Sequence, residues 1–165
     1  MNLLKTLESD HRELKRLAGR LEMTTERGVK VREKLFTEFK ILLDSHSKAE
    51  EFVLYDRLVE VDAKSRERAF EGYEEHHVAD ILLRELTSLP KDNERWGAKF
   101  GVLKELLEHH IEEEQREIFQ QARKAFKAPE LERMEEQFLS MKHVQKAGIG
   151  APVRSVARVV RRMAG

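Results

Sequence analysis

At 165 residues the chain is long enough for one domain with a buried core, or one domain and a tail. Its 31 lysines and arginines match its 31 aspartates and glutamates, and a net charge of zero argues against wholesale nucleic-acid binding. There is no cysteine, which excludes disulfides, thiolate metal sites and a cysteine nucleophile, so any metal must be held by histidine and carboxylate.

The N-terminal stretch MNLLKTLESDHREL is charged and amphipathic, with no uninterrupted apolar region of the kind a secretory signal needs. No apolar run approaches the ~20 residues that span a bilayer, so a cytoplasmic location is expected. Apolar residues at helical spacing predict five helical segments and no strand. The first runs from about Asn2 to Met23, with Leu4, Leu7, Leu14, Leu17 and Leu21 on one face. The second covers about Val29 to Val61, and its length predicts a kink, with Ser45-His46-Ser47 as the weak point. The third extends from Ala63 to Leu89, where LPKDN stops it with a proline and turn formers. The fourth begins near Asn93 and reaches Phe126. Pro129 suits the first turn of a fifth helix, running to about Lys146. Four long helices with short connections predict an all-α, up-down-up-down bundle, capped by the fifth.

The bundle is placed at residues 1–147 and a basic tail at 148–165. After AGIGAP, Val153, Val156, Val160 and Met163 lie opposite Arg154, Arg158, Arg161 and Arg162. Such a segment could touch a membrane surface or a protein partner through residues 151–165. A frayed tail, or a helix packed on the bundle, is the plainer reading.

Comparing the chain with itself is more informative. LLDSHSKAEEFVLY (42–55) aligns with LLEHHIEEEQREIF (106–119): His46 meets His110, Glu50 meets Glu114, and Tyr55 meets Phe119. DHRELKRLAGRL (10–21) aligns with EHHVADILLREL (75–86), pairing Asp10 with Glu75 and His11 with His76. Each half contributes a lone histidine and a His-x-x-x-Glu pair. Residues four apart share a helix face. His110 and Glu114 fall on the stripe of Leu103, Leu107 and Ile118, while His46 and Glu50 fall on that of Phe39, Leu43 and Leu54. Ionisable groups on core-facing stripes cost several kcal/mol each unless a partner compensates them. A dinuclear cation site does so, and imidazoles with two potentially bridging carboxylates suit iron, manganese or zinc. Redox chemistry would favour iron. A lone histidine on an apolar face is ordinarily a satisfied core residue, and one His-x-x-x-Glu an intrahelical pair. It is the duplication that favours metal.

His76 and His77 compete for one place. The repeat register favours His76, but Phe70, Tyr73 and Ile81 put His77 near the apolar arc too. His109 stands about 100° around the helix from His110 and is expected to be solvated. Asp10 and Glu75 could orient a ligand or lie at the surface, and His143 has no paired motif. Tyr55 and Tyr73 could donate hydrogen bonds to the centre or simply fill the core.

DHREL, HSKAEE, EEHHVAD and HHIEEEQREIF together resemble the four signature segments of the hemerythrin/HHE cation-binding family, over residues 3 to 126. The resemblance implies metal ligands at His11, His46, Glu50, His76, His110 and Glu114, with both glutamates bridging two iron ions. It also implies binding or sensing of dioxygen or a related small oxidant, such as peroxide or nitric oxide. The chain departs from the oxygen carriers in two places. Their extra histidine, four residues before the third-helix ligand, is here Gly72, and their fourth-helix His-x-x-x-x-Asp is here His110-x-x-x-Glu114. With fewer nitrogen ligands, reversible oxygen carriage is not expected. No catalytic acid, base or nucleophile can be named beyond the metal residues, so a binding role is favoured over a dedicated enzyme. Two other readings stand beside this one. A ferritin-like iron-handling protein would use Glu8-x-x-His11 and Glu74-x-x-His77, and a metal-free helical module would act through its tail.

Overall fold

The computed structural model describes residues 2–148, and the basic segment 151–165 lies outside them. The described residues form helices and no strand. α1 is Leu3–Glu22. α2 starts at Val29–Glu50, passes through a π-helical turn at Glu51–Tyr55 and ends with Asp56–Leu58. α3 is Ala63–Ser88. α4 repeats the plan of α2: Trp96–Glu113, a π-helical turn at Glu114–Ile118, then Phe119–Ala125. α5 is Ala128–Gly148. Helices α1 to α4 make the up-down-up-down bundle, and α5 packs across α1 and α2.

Local chemistry sets the helix ends. Asn2 and Asp62 cap α1 and α3, accepting from the backbone N–H of Lys5 at 3.2 Å and Ser65 at 2.7 Å. Pro90 follows the last residues of α3, and Pro129 falls in the first turn of α5. α4 begins later than Asn93 because the Asn93 side chain accepts from the Arg95 N–H at 2.9 Å, holding a turn there. The expected kink at residues 45–47 is absent. Those residues are α-helical, and the irregularity lies one turn on, in the π-helical segment after Glu50.

The core divides into two apolar layers. One gathers Leu3, Leu7, Leu54, Tyr55 and Phe119 with Met134 and Phe138 of α5. The other gathers Leu14, Phe36, Phe39, Leu83, Trp96 and Phe100. His11 stands in α1 between Leu7 of the first layer and Leu14 of the second, so the polar residues occupy the level between them. Trp96 anchors the second layer. It is fully buried, donates its indole N–H to the Leu86 carbonyl at 3.1 Å, and carries the Arg32 guanidinium over its ring at 4.8 Å. Trp96→Ala should lower unfolding free energy by about 3–5 kcal/mol in urea denaturation, through lost packing.

Candidate metal centre

His11, His46, Glu50, His76, His110 and Glu114 are all buried and meet between α1, α2, α3 and α4. The four histidines turn the same atom inward. His11 Nε2 lies 3.2 Å from His46 Nε2, and His76 Nε2 lies 3.1 Å from His110 Nε2. The two carboxylates sit between these pairs. Glu50 Oε2 is 3.6 Å from His46 Nε2 and 3.5 Å from His76 Nε2. Glu114 Oε2 is 3.2 Å from His11 Nε2 and 3.9 Å from His110 Nε2. Each carboxylate therefore reaches one histidine of either pair, which is the placement bridging requires.

The outward nitrogens are all engaged. His46 Nδ1 donates to Asp10 at 3.0 Å and His76 Nδ1 to Glu51 at 2.8 Å, while His110 Nδ1 contacts Glu75. Gln115 Nε2 lies 3.0 Å from His11 Nδ1; with the side-chain amide turned over, its carbonyl oxygen takes that place and accepts the Nδ1 proton. Protons held on Nδ1 leave the Nε2 lone pairs facing the centre, the tautomer that a metal-binding imidazole needs. Asp10 and Glu75 are thus turned to the histidines rather than to solvent. Glu51 and Gln115 were not singled out from sequence, although the repeat aligns them, each following its glutamate.

Burial dominates the protonation equilibria. It drives the His46 imidazole down to about 4 and pushes His76 in the same direction. At His110 burial also lowers, but the bond to Glu75 overcomes it and the net shift is upward. Burial and the neighbouring Glu114 push Glu50 well above the carboxylate range. Burial opposes ionisation of Glu114 as well, but His11 and His110 prevail and hold it low. Without a cation, the pair keeps one proton because two adjacent buried carboxylates cannot both ionise. Both oxygens of Glu50 and Oε2 of Glu114 still make no hydrogen bond. Such orphaned oxygens, beside inward imidazole lone pairs, fit a cation site. Two donor groups could each hold an ion, His11–His46–Glu50 and His76–His110–Glu50.

The family model for the hemerythrin HHE cation-binding domain matches residues 2–122. The chain belongs to this family. A crystal structure of a hemerythrin HHE cation-binding domain-containing protein from Mycobacterium kansasii superposes with a TM-score of 0.79, at 21% identity, covering 94% of this chain and 93% of that one. It shares the fold, including the added C-terminal helix. A search of curated proteins finds no match. In this hemerythrin-family bundle, His76 joins the cluster whereas His77 is exposed. His109 is exposed, as its position around the helix predicts.

The π-helical turns explain how further side chains reach the centre. In regular α-helix, five residues turn about 500°, leaving Tyr55 about 140° from Glu50. The wider turn takes up one residue and swings Tyr55 inward, and its counterpart does the same for Phe119. Tyr55 stacks on His76 at 5.4 Å, and Phe119 stacks on His11 at 6.1 Å. The Tyr55 hydroxyl, which burial keeps protonated, donates to Glu114 Oε1 at 3.1 Å. Gly72 makes this possible, since a Cβ there would lie 2.6 Å from Cε2 and 2.9 Å from the hydroxyl oxygen of Tyr55.

The two halves consequently differ. On the His76–His110 side, both outward partners are carboxylates, Glu51 and Glu75. On the His11–His46 side, one partner is the neutral Gln115, and Asp10 is offset by Lys142 of α5. Gly72→Ala should destabilise by about 1–3 kcal/mol through overpacking. The same change should cost clearly less in a Tyr55→Leu background, as a denaturation double-mutant cycle would read.

Proposed function

We propose that the chain holds a non-haem di-iron centre on His11, His46, Glu50, His76, His110 and Glu114, and that this centre binds or senses dioxygen or a related small oxidant, peroxide or nitric oxide. The carrying observation is the convergence of four Nε2 atoms on two buried carboxylates, of whose oxygens only Glu114 Oε1 makes a hydrogen bond. Iron would supply redox chemistry and an exchangeable coordination position; manganese or zinc suits the same donors. The chain's own residues fix the tautomers, neutralise the ions' charge and exclude bulk water. Tyr55 offers a neutral O–H donor within reach of the centre.

Gly72 bears on the choice among oxidants. The oxygen carriers' extra histidine is missing, and the Tyr55 ring already fills the space a side chain at Gly72 would take. This favours reaction with, or detection of, an oxidant over reversible carriage. The ferritin-like reading has less support, because Glu74 and His77 both face solvent and leave its second Glu-x-x-His pair without a buried site.

Iron-loaded protein prepared under argon should change its near-ultraviolet and visible absorption on exposure to air, hydrogen peroxide or nitric oxide. After air, flushing with argon should not restore the starting spectrum, and Tyr55→Phe should alter the rate of change. An iron-loaded sample inert to all three would contradict the reading; full recovery under argon would make the protein a carrier.

A further inference from the structure

The buried centre leaves open how a divalent cation reaches it, and two cavities approach it by different faces. Between α2 and α3, a cavity of about 270 Å³ ends at His76 and Glu51. Its lining is mixed in charge, with Lys48 and His77 among Asp44 and Asp80, and it reaches neither Glu50 nor Glu114. Between α3 and α4, a narrower cavity of about 20 Å³ is lined by His110 and Glu114 at its inner end and by Glu71, Glu75, Glu113 and Glu117 around it. Arg68 is the only cation in that lining, and it is paired with Glu71 at 2.6 Å and Glu117 at 2.7 Å. Outside it, a broad depression carries five glutamates, among them Glu71, Glu75 and Glu113, against two arginines, Arg66 and Arg68. The depression and the narrow cavity share Arg68, Glu71, Glu75 and Glu113, so the acidic surface leads toward the buried Glu114.

Glu75 and Glu113, which line both cavities, belong with the neighbouring His109 to a third donor group. Glu75, His109 and Glu113 each offer one ligand atom, all within 4.8 Å of one another. His109 is exposed, Glu75 and Glu113 half-buried, and His109 Nε2 lies 3.4 Å from Glu113 Oε2. Inward of them, Glu114 is buried, lines the narrow cavity, and keeps Oε2 without a hydrogen bond. Glu75 belongs to both levels, since it also contacts His110.

We propose that Glu75, His109 and Glu113 form an outer transit site for a divalent cation, ferrous iron above all, and that the cation passes from it along the α3–α4 cavity to Glu114 and His110. The proposal rests on the dinuclear reading of the buried centre. A passage of this volume admits about one water-sized body, so the cation sheds its hydration shell on the way and the lining carboxylates replace the water oxygens. Imidazole beside two carboxylates binds such an ion while leaving coordination positions for the next ligand. Because the outer group is half-exposed, its hold is weaker than that of the buried one, and the ion moves inward. His109, a bystander to the buried centre, then has a place in filling it.

The test follows loading of metal-free, full-length protein with ferrous iron under argon, by the iron that becomes inaccessible to a ferrous chelator with time. The variant His109→Ala/Glu113→Gln leaves the histidine partner Glu75 in place, and both changed side chains reach solvent. It should load about tenfold more slowly, the scale of electrostatic and local-concentration effects on association, and reach the same final content as the wild type. Asp44→Asn/Asp80→Asn, which alters the other cavity, should load at the wild-type rate. Equal rates for the His109/Glu113 variant and the wild type would overturn the route, as would slowing confined to the Asp44/Asp80 variant. A reduced final content in the His109/Glu113 variant would make the outer group part of the resting site and overturn its transit role. Wild type that never protects iron from the chelator would instead refute the dinuclear centre itself, and the route with it.

Discussion

Two buried carboxylates set side by side are the constraint on which the bundle depends. Glu50 and Glu114 come from different helices, carry oxygens without hydrogen bonds, and face four imidazole Nε2 atoms. Burying such groups costs several kcal/mol per charge unless something of opposite sign joins them. The apolar layers above and below supply the packing that holds this polar level together, and a cation between the helices would supply the missing charge. The second set of contacts follows from the same need. Each histidine is aimed by a partner on its other nitrogen, because an imidazole free to rotate or change tautomer would not present Nε2 inward.

The near-symmetry of the two halves makes their differences meaningful. Glu51 answers to Gln115, and Tyr55 to Phe119, across the repeat. One half is therefore richer in negative charge and carries a hydroxyl, whereas the other has Phe119 in place of the phenol and its Asp10 balanced by Lys142 from α5. Ions held in two such environments would not be equivalent. A higher positive charge would be better stabilised beside Glu51 and Glu75, and Tyr55 places its O–H donor in that half. The added helix also has a chemical part in this, because Lys142 offsets Asp10 and Phe138 packs edge-on against His46 at 5.8 Å.

Much of this was legible in the sequence. The 3.6-residue rhythm locates the helices, and the duplicated His-x-x-x-Glu picks out which histidines and glutamates gather. Register separates His76 from His77 where the apolar arc does not: His77 lies near that arc but turns outward. The π-helical turns were not legible, because the helical α and π forms use the same residues and differ only in how tertiary burial places one of them. Hence the irregularity of α2 was expected at Ser45–Ser47 and lies after Glu50. The roles of Glu51, Gln115 and Lys142 were equally hidden. Charged residues on a helix look alike in sequence until neighbouring helices decide which of them meets a histidine.

The central claim is that the polar level exists to hold two metal ions. Calorimetric titration of the metal-free protein with ferrous iron under argon, with a thermal melt at each end of the titration, tests it most directly. The account predicts saturation at two ions per chain and a clear rise in melting temperature, since an ion bound only by the folded state stabilises it. Both effects should be lost in Glu50→Ala and His110→Ala. A wild-type chain that takes up no iron, and melts at the same temperature with and without it, would contradict the account.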